Sequence, residues 1–237
     1  MKTLCSDTSS ATSVVALVED GRLLAGLSAL VTTRHEDTLL PHVESLLVSA
    51  GATIGEVDRL AIGLGPGGFT SLRVGIASTK GLAIATGKPL VGVGSLRVLA
   101  RGLAGADGLA AAVVDAHRGE VYAALYRFAG DRGEELLAPL HGLPEAVGLA
   151  LREAAAGLPL IVGGDGLVAH GEALARSLGE KAWIAPSALF APSPLALAIE
   201  AEEAFRREGP ADLATLEPLY VRPSDAKLPD RPLLLAR

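Results

Sequence analysis

The second half of this chain repeats, element for element, the order of the first, and few folds accommodate such a repeat. Residues 3–18 (TLCSDTSSATSVVALV) read as a strand, a polar turn carrying Asp7, and a second strand. Glu19-Asp-Gly-Arg22 then has the Asp-Gly chemistry of a tight hairpin turn, and residues 22–32 return as a third strand. Residues 36–50 place Leu39, Val43, Leu46 and Ala50 on one helical stripe that Gly51 ends. VDRLAIGL (57–64) is a buried strand running into GLGPGGFTSLRVG, and residues 69–86 form a long helix. From residue 108 the order recurs. Residues 108–140 give strand, aspartate turn, strand, Gly-Asp-Arg-Gly hairpin and strand; 143–157 are helical; 158–179 give strand, glycine-rich loop and helix. Asp115 stands where Asp7 stood, 108 residues on, and Gly163-Gly-Asp-Gly166 answers Gly65-Pro-Gly-Gly68.

Two copies of a three-strand, helix, strand, helix unit describe a duplicated α/β architecture with mixed sheets. The hairpin-first order points away from a Rossmann domain and toward the duplicated ribonuclease H-like fold of the actin, Hsp70 and sugar-kinase group, with two similar subdomains. The glycine-rich break GLAGADG (102–108) sets the expected boundary, giving subdomains 1–103 and 104–237. That fold holds a nucleotide between its halves, on the first-strand aspartate loops and the glycine-rich turns. Asp7, Gly65, Gly67 and Gly68 are therefore the candidate nucleotide-binding residues. The first loop, DTSSATS, lacks the glycine that lets backbone approach a phosphate, so the site reads as vestigial.

With aromatics at 3%, the core must be built from Ala, Val, Leu and Ile. One cysteine, Cys5, excludes an internal disulfide and a cysteine-based metal site. A formal net charge of −6 without a basic stripe leaves any grip on RNA to another subunit. No apolar run approaches the ~20 residues of a membrane span, and a signal-peptide pattern is lacking, so a cytoplasmic protein is expected.

The helix 69–86 has two stripes. Phe69, Leu72, Ile76 and Ala83 suit packing on a sheet. Ser71, Gly75, Ser78, Leu82 and Ala85 form a small-residue face, the candidate partner interface. Glycines at 75 and 81 each cost roughly 1 kcal/mol relative to alanine in a helix, which a close backbone approach would explain. The histidines, His35, His42, His117, His141 and His170, suggest no metal pair: His35 and His42 lie seven apart across a helix start, and His117 sits beside Arg118 in the second aspartate turn, where the sequence assigns it no acid–base partner.

The segments DTSSATSVVALVEDG, RHEDTLLPHVESLL, GLGPGGFTSLRVGIASTKGLA, DAHRGEVYAALY and EPLYVR resemble, in order, the TsaB (YeaZ) family, bacterial subunits of the machinery that makes threonylcarbamoyladenosine in tRNA. The resemblance spans nearly the whole chain, and the GPGGFTSLRVG segment carries most of its specificity. It implies a non-catalytic subunit that binds a TsaD-like catalytic sister, with a TsaE-like ATPase joining and tRNA reached only through the complex. It also implies pairing through N-terminal helices, with TsaD or as a homodimer, and allows ATP or ADP at the subunit junction. In TsaD two histidines four apart on a helix bind the catalytic metal; the corresponding positions here look like Ser95 and Leu99, so neither a catalytic nor a metal site is expected. A stand-alone ATP-dependent phosphotransferase of the same fold is the alternative, and a metallopeptidase, which would need those ligands, is the weaker rival. The proline-rich tail 216–237 is expected to be extended.

Overall fold

The computed structural model describes residues 1–31, 35–130 and 132–222. The tail beyond Arg222 and the side chain of His35 lie outside the described residues. Strands β1 (Lys2–Asp7), β2 (Thr12–Glu19) and β3 (Arg22–Leu30) form an antiparallel meander, followed by α1 (His35–Ser49), β4 (Arg59–Gly63), α2 (Phe69–Thr86), β5 (Leu90–Val93) and α3 (Ser95–Ala104). The second half runs β6 (Asp107–Asp115), β7 (Val121–Ala129), β8 (Arg132–Gly142), α4 (Pro144–Ala154), β9 (Leu160–Gly163), α5 (Gly166–Leu178), β10 (Ala182–Ile184) and α6 (Pro194–Glu208). The sheets are ordered β3-β2-β1-β4-β5 and β8-β7-β6-β9-β10, with β4 and β5 parallel to β1 as β9 and β10 are to β6. The duplication read from the sequence is thus a duplication of topology.

Side chains alternate across each strand, so both sheets are apolar on both faces. In the first sheet Leu4, Val15, Leu17, Leu60 and Ile62 meet α1 and α2, whereas Cys5, Val14, Ala16, Ala61 and Val91 meet α6. In the second, Leu109, Ala111, Val113 and Leu125 meet α4 and α5, whereas Ala110, Ala112, Ala124, Tyr126 and Phe128 meet Leu96, Leu99 and Leu103 of α3. The halves have therefore exchanged their last helices. The chain passes between sheets at Gly105, whose φ of 64° suits glycine, and α3 and α6 then cover each other's sheets.

An ion-pair network locks this exchange. Glu200 of α6 accepts from Arg97 and, at 2.6 Å, from Arg101 of α3, and Glu203 takes the second nitrogen of Arg97 at 3.1 Å. The two guanidinium groups also donate to the Gly133 and Gly130 carbonyls of the β7–β8 hairpin. Among the described residues no helix is long and apolar enough to cross a membrane.

Candidate nucleotide cleft and docking face

The glycine-rich loops lie where β1, β4, β6 and β9 end, the carboxyl edge at which α/β sheets present ligands. In the first half the loops close on each other. Asp7 is fully buried at the end of β1; its Oδ1 accepts from the Ser9 amide at 2.7 Å and its Oδ2 from Ser95 Oγ at 2.7 Å. Ser95 Oγ in turn accepts from the Gly65 amide at 3.0 Å. The Gly68 amide donates to the Ser9 carbonyl at 2.8 Å. Gly67 lies so near that carbonyl that a Cβ would stand 2.0 Å from its oxygen. Gly63 is glycine for the same kind of reason, since a Cβ would meet Asp7 at 2.1 Å. The structure thus brings Asp7, Gly65, Gly67 and Gly68 together, with the amides of Ser9, Gly65 and Gly68 spent inside the protein.

The second half repeats the device with different atoms. Asp165 accepts from the Asp115 amide at 2.9 Å, and Gly164 packs where a Cβ would stand 2.1 Å from the Val113 carbonyl oxygen. Asp115 accepts from the His117 amide at 2.9 Å, and its carboxylate lies 3.1 Å from His117 Nδ1. The partner that the sequence could not assign to His117 is therefore its own turn aspartate. His170 Nε2 approaches Asp115 at 3.9 Å. Burial pushes the Asp165 carboxyl above its ordinary value; the Asp115 amide draws it back, the Asp115 charge raises it and His117 lowers it. A raised folded-state value means that Asp165 stabilises the fold below the ordinary carboxylate range and loses that contribution as pH rises through the folded value. Asp165→Asn, which keeps an acceptor for the Asp115 amide, should therefore gain stability relative to the native chain at pH 7, and the gain should shrink toward pH 4. Urea midpoints at the two pH values check this, and an equal difference at both would contradict it.

Between the halves lies a cleft of about 700 Å³ lined by Pro66, Phe69, Arg73, His117, Arg118 and Tyr122. Leu219, Tyr220 and Val221 line it too, and also line a second space of about 660 Å³ bordered by Arg97, Tyr126 and Arg207. The segment after α6 thus runs between the two chambers. Ser95 and Leu99, where the resemblance implies no metal ligand, are both buried: the serine binds Asp7 and the leucine packs under the second sheet. Among the described residues no three His, Cys, Asp or Glu side chains gather to hold a metal.

The residues expected at a partner interface divide. Thr8 Oγ1 donates to the Ser71 carbonyl at 2.8 Å, and a Cβ on Gly75 would stand 2.2 Å from the same Oγ1, so what approaches that glycine is the Thr8 side chain and not the backbone expected there. Ser78 and Leu82 are half-buried beside Leu39, Leu40 and Val43, in the seam between α1 and α2. Ala85 is exposed. Phe69, expected under the sheet, is 60% exposed, with the Arg73 guanidinium 3.6 Å over its ring. The outward face of the helix pair carries Leu40 and Val48 of α1 with Ala77, Gly81, Ile84 and Ala85 of α2. A Cβ on Gly81 would meet nothing within 4 Å, and Ile84 is 71% exposed. Sequence reasoning passed over Leu40, Val48 and Ile84, whose only signal is apolarity off the buried stripe.

The family model described as "TsaD: tRNA N6-adenosine threonylcarbamoyltransferase" matches residues 29–155, more than half of the chain. The tRNA threonylcarbamoyladenosine biosynthesis protein TsaB of Bacillus subtilis is 29% identical over 227 residues, 96% of each chain. YeaZ from Pseudomonas aeruginosa superposes with a TM-score of 0.78 at 28% identity, over 92% of this chain and 99% of that one. This chain belongs to the TsaB (YeaZ) family. The TsaB protein of Escherichia coli is 35% identical over 147 residues, 59% of this chain; the chain thus spans 63% of that relative's length. A ROK hexokinase from Thermus thermophilus, at 13% identity and a TM-score of 0.50, shares the fold alone.

Proposed function

We propose that this chain is an accessory subunit in tRNA threonylcarbamoyladenosine biosynthesis, docking through the outer face of α1 and α2 onto a TsaD-like catalytic sister. The observation that carries this reading is the pairing of an exposed face of small and apolar residues with site loops whose donors are already engaged. Gly81 and Ala77 allow a partner helix to approach closely, and Leu40, Val48 and Ile84 supply apolar area around them. The role is to hold the sister subunit in a working arrangement, with a TsaE-like ATPase joining and tRNA gripped by the assembly. The net charge of −6 accords with that division of labour. A second copy of this chain is the other occupant the face accepts.

The experiment is reconstitution. Threonylcarbamoyl transfer to tRNA by TsaD, TsaE, ATP and threonylcarbamoyl-adenylate is measured with and without the chain, alongside Gly81→Trp and Ile84→Asp. Both substitutions fall on solvent-facing positions, so thermal unfolding should stay within a few degrees of native, while association and transfer fall on the order of tenfold or more. Transfer that is indifferent to the chain would overturn the reading; ATP turnover by the chain alone would favour the phosphotransferase instead.

A further inference from the structure

The nucleotide that this fold places between its halves does not fit the loops of this chain. In the first half the amides of Ser9, Gly65 and Gly68 donate internally, and the Ser9 carbonyl lies against Gly67. In the second, the amides of Asp115, Ala116 and His117 donate to Asp165, Glu120 and Asp115, and Gly164 lies against the Val113 carbonyl. A polyphosphate would have to displace these bonds on both sides before the amides could reach it.

We infer that the segment Leu216–Arg222 takes the nucleotide's place as the tie between the halves, so that the chain sets its own cleft opening. On the first-half side the attachments are dense. Lys80 Nζ donates to the Leu216 carbonyl at 2.8 Å, and the Leu219 amide donates to the Leu64 carbonyl, at the end of β4, at 2.8 Å. Arg73 donates to Tyr220 Oη from Nη2 at 3.0 Å and from Nε at 3.2 Å. Leu216 itself packs into the first core, near enough that a Cβ on Gly92 would stand 3.1 Å from it. On the second-half side Arg222 pairs with Glu120, in the turn that also holds Asp115 and His117. The strap therefore spans from the glycine-rich loop of one half to the aspartate turn of the other, and Arg222–Glu120 is the joint whose loss frees it. Arg73 and Lys80 bring α2 into the same tie. The inference is independent of what docks on the outer face of α2.

Hydrogen–deuterium exchange on the full chain tests it, with Arg222→Ala, Glu120→Ala, the two combined, and the charge-reversed pair Arg222→Glu with Glu120→Arg. Each alanine variant should speed exchange in peptides covering 115–122 and 216–222 by about tenfold while peptides in β4 and α1 stay protected. The double variant should be no faster than either single, and the reversed pair should recover slow exchange. A titration with Mg–ADP to about 1 mM, far above the dissociation constant of a working cleft, should change neither heat nor exchange. Unchanged exchange in the alanine variants, or failure of the reversed pair to restore it, would overturn the strap as a tie. Protection of the cleft loops by ADP would overturn it from the other side, by showing that the loops do open for a nucleotide.

Discussion

Asp7→Ala should cost this protein about 3 kcal/mol of stability. Its carboxylate satisfies the Ser9 amide and the Ser95 hydroxyl, and through Ser95 it orients the acceptor of the Gly65 amide; all of these groups are buried. Alanine leaves at least two of them without a partner in a space closed to water, each costing about 1–3 kcal/mol. Asp7→Asn, which keeps an acceptor for the amide but not the charge, should recover part of the loss. Urea denaturation of the three proteins is the measurement. A chain that used Asp7 for phosphoryl transfer would show the opposite pattern, with stability kept and turnover abolished; a native-like midpoint for Asp7→Ala would refute the structural role.

The second large effect is expected at Glu200. It is buried against two arginines, one of them equally buried, in the joint between α3, α6 and the β7–β8 hairpin. Burial alone would lower the Arg97 guanidinium; Glu200, by charge and hydrogen bond, together with Glu203 and Tyr126 holds it above its ordinary value. Glu200→Ala leaves the charges of Arg97 and Arg101 facing the more distant Glu203, a change of the kind that costs about 3–5 kcal/mol. For a chain of this size that is a fall of about 10 °C in the unfolding midpoint, measurable by calorimetry. Because Glu200 ties the halves together, the loss should also separate the transition into two steps. A single transition at the native temperature would mean that the apolar contacts of α6 hold the joint without it.

The duplicated fold was legible because both halves signal their elements locally. Asp20-Gly21 turns one hairpin, and α1 shows its stripe at helical spacing, with Leu39, Val43 and Leu46 all buried as read. Strand β10 was not legible: three residues with an exposed tryptophan carry no period. The site was half legible. Asp7 and the glycines of 65–68 do converge, yet what they bind is decided by the amide and carbonyl of Ser9 and by the Ser95 hydroxyl, groups that no motif marks. Likewise the glycine at 75 does mark a close approach, but the approaching group is Thr8 of the same chain. Phe69 failed as a core residue because it sits in the first turn of α2, where a cation from the next turn can cover its ring. Nothing in the periodicity of α3 or α6 says whose sheet each will cover.

That exchange also sets a timetable for synthesis. When residue 105 leaves the ribosome, the first sheet is complete in sequence but one apolar face, around Cys5, Val14, Ala16 and Val91, has no cover, because its helix is α6. At translation speeds of about 5–20 residues per second, that face waits several seconds for residues 194–208. The nascent chain must spend that interval as a half-open sandwich, exposed to chaperones and to like chains before it can close.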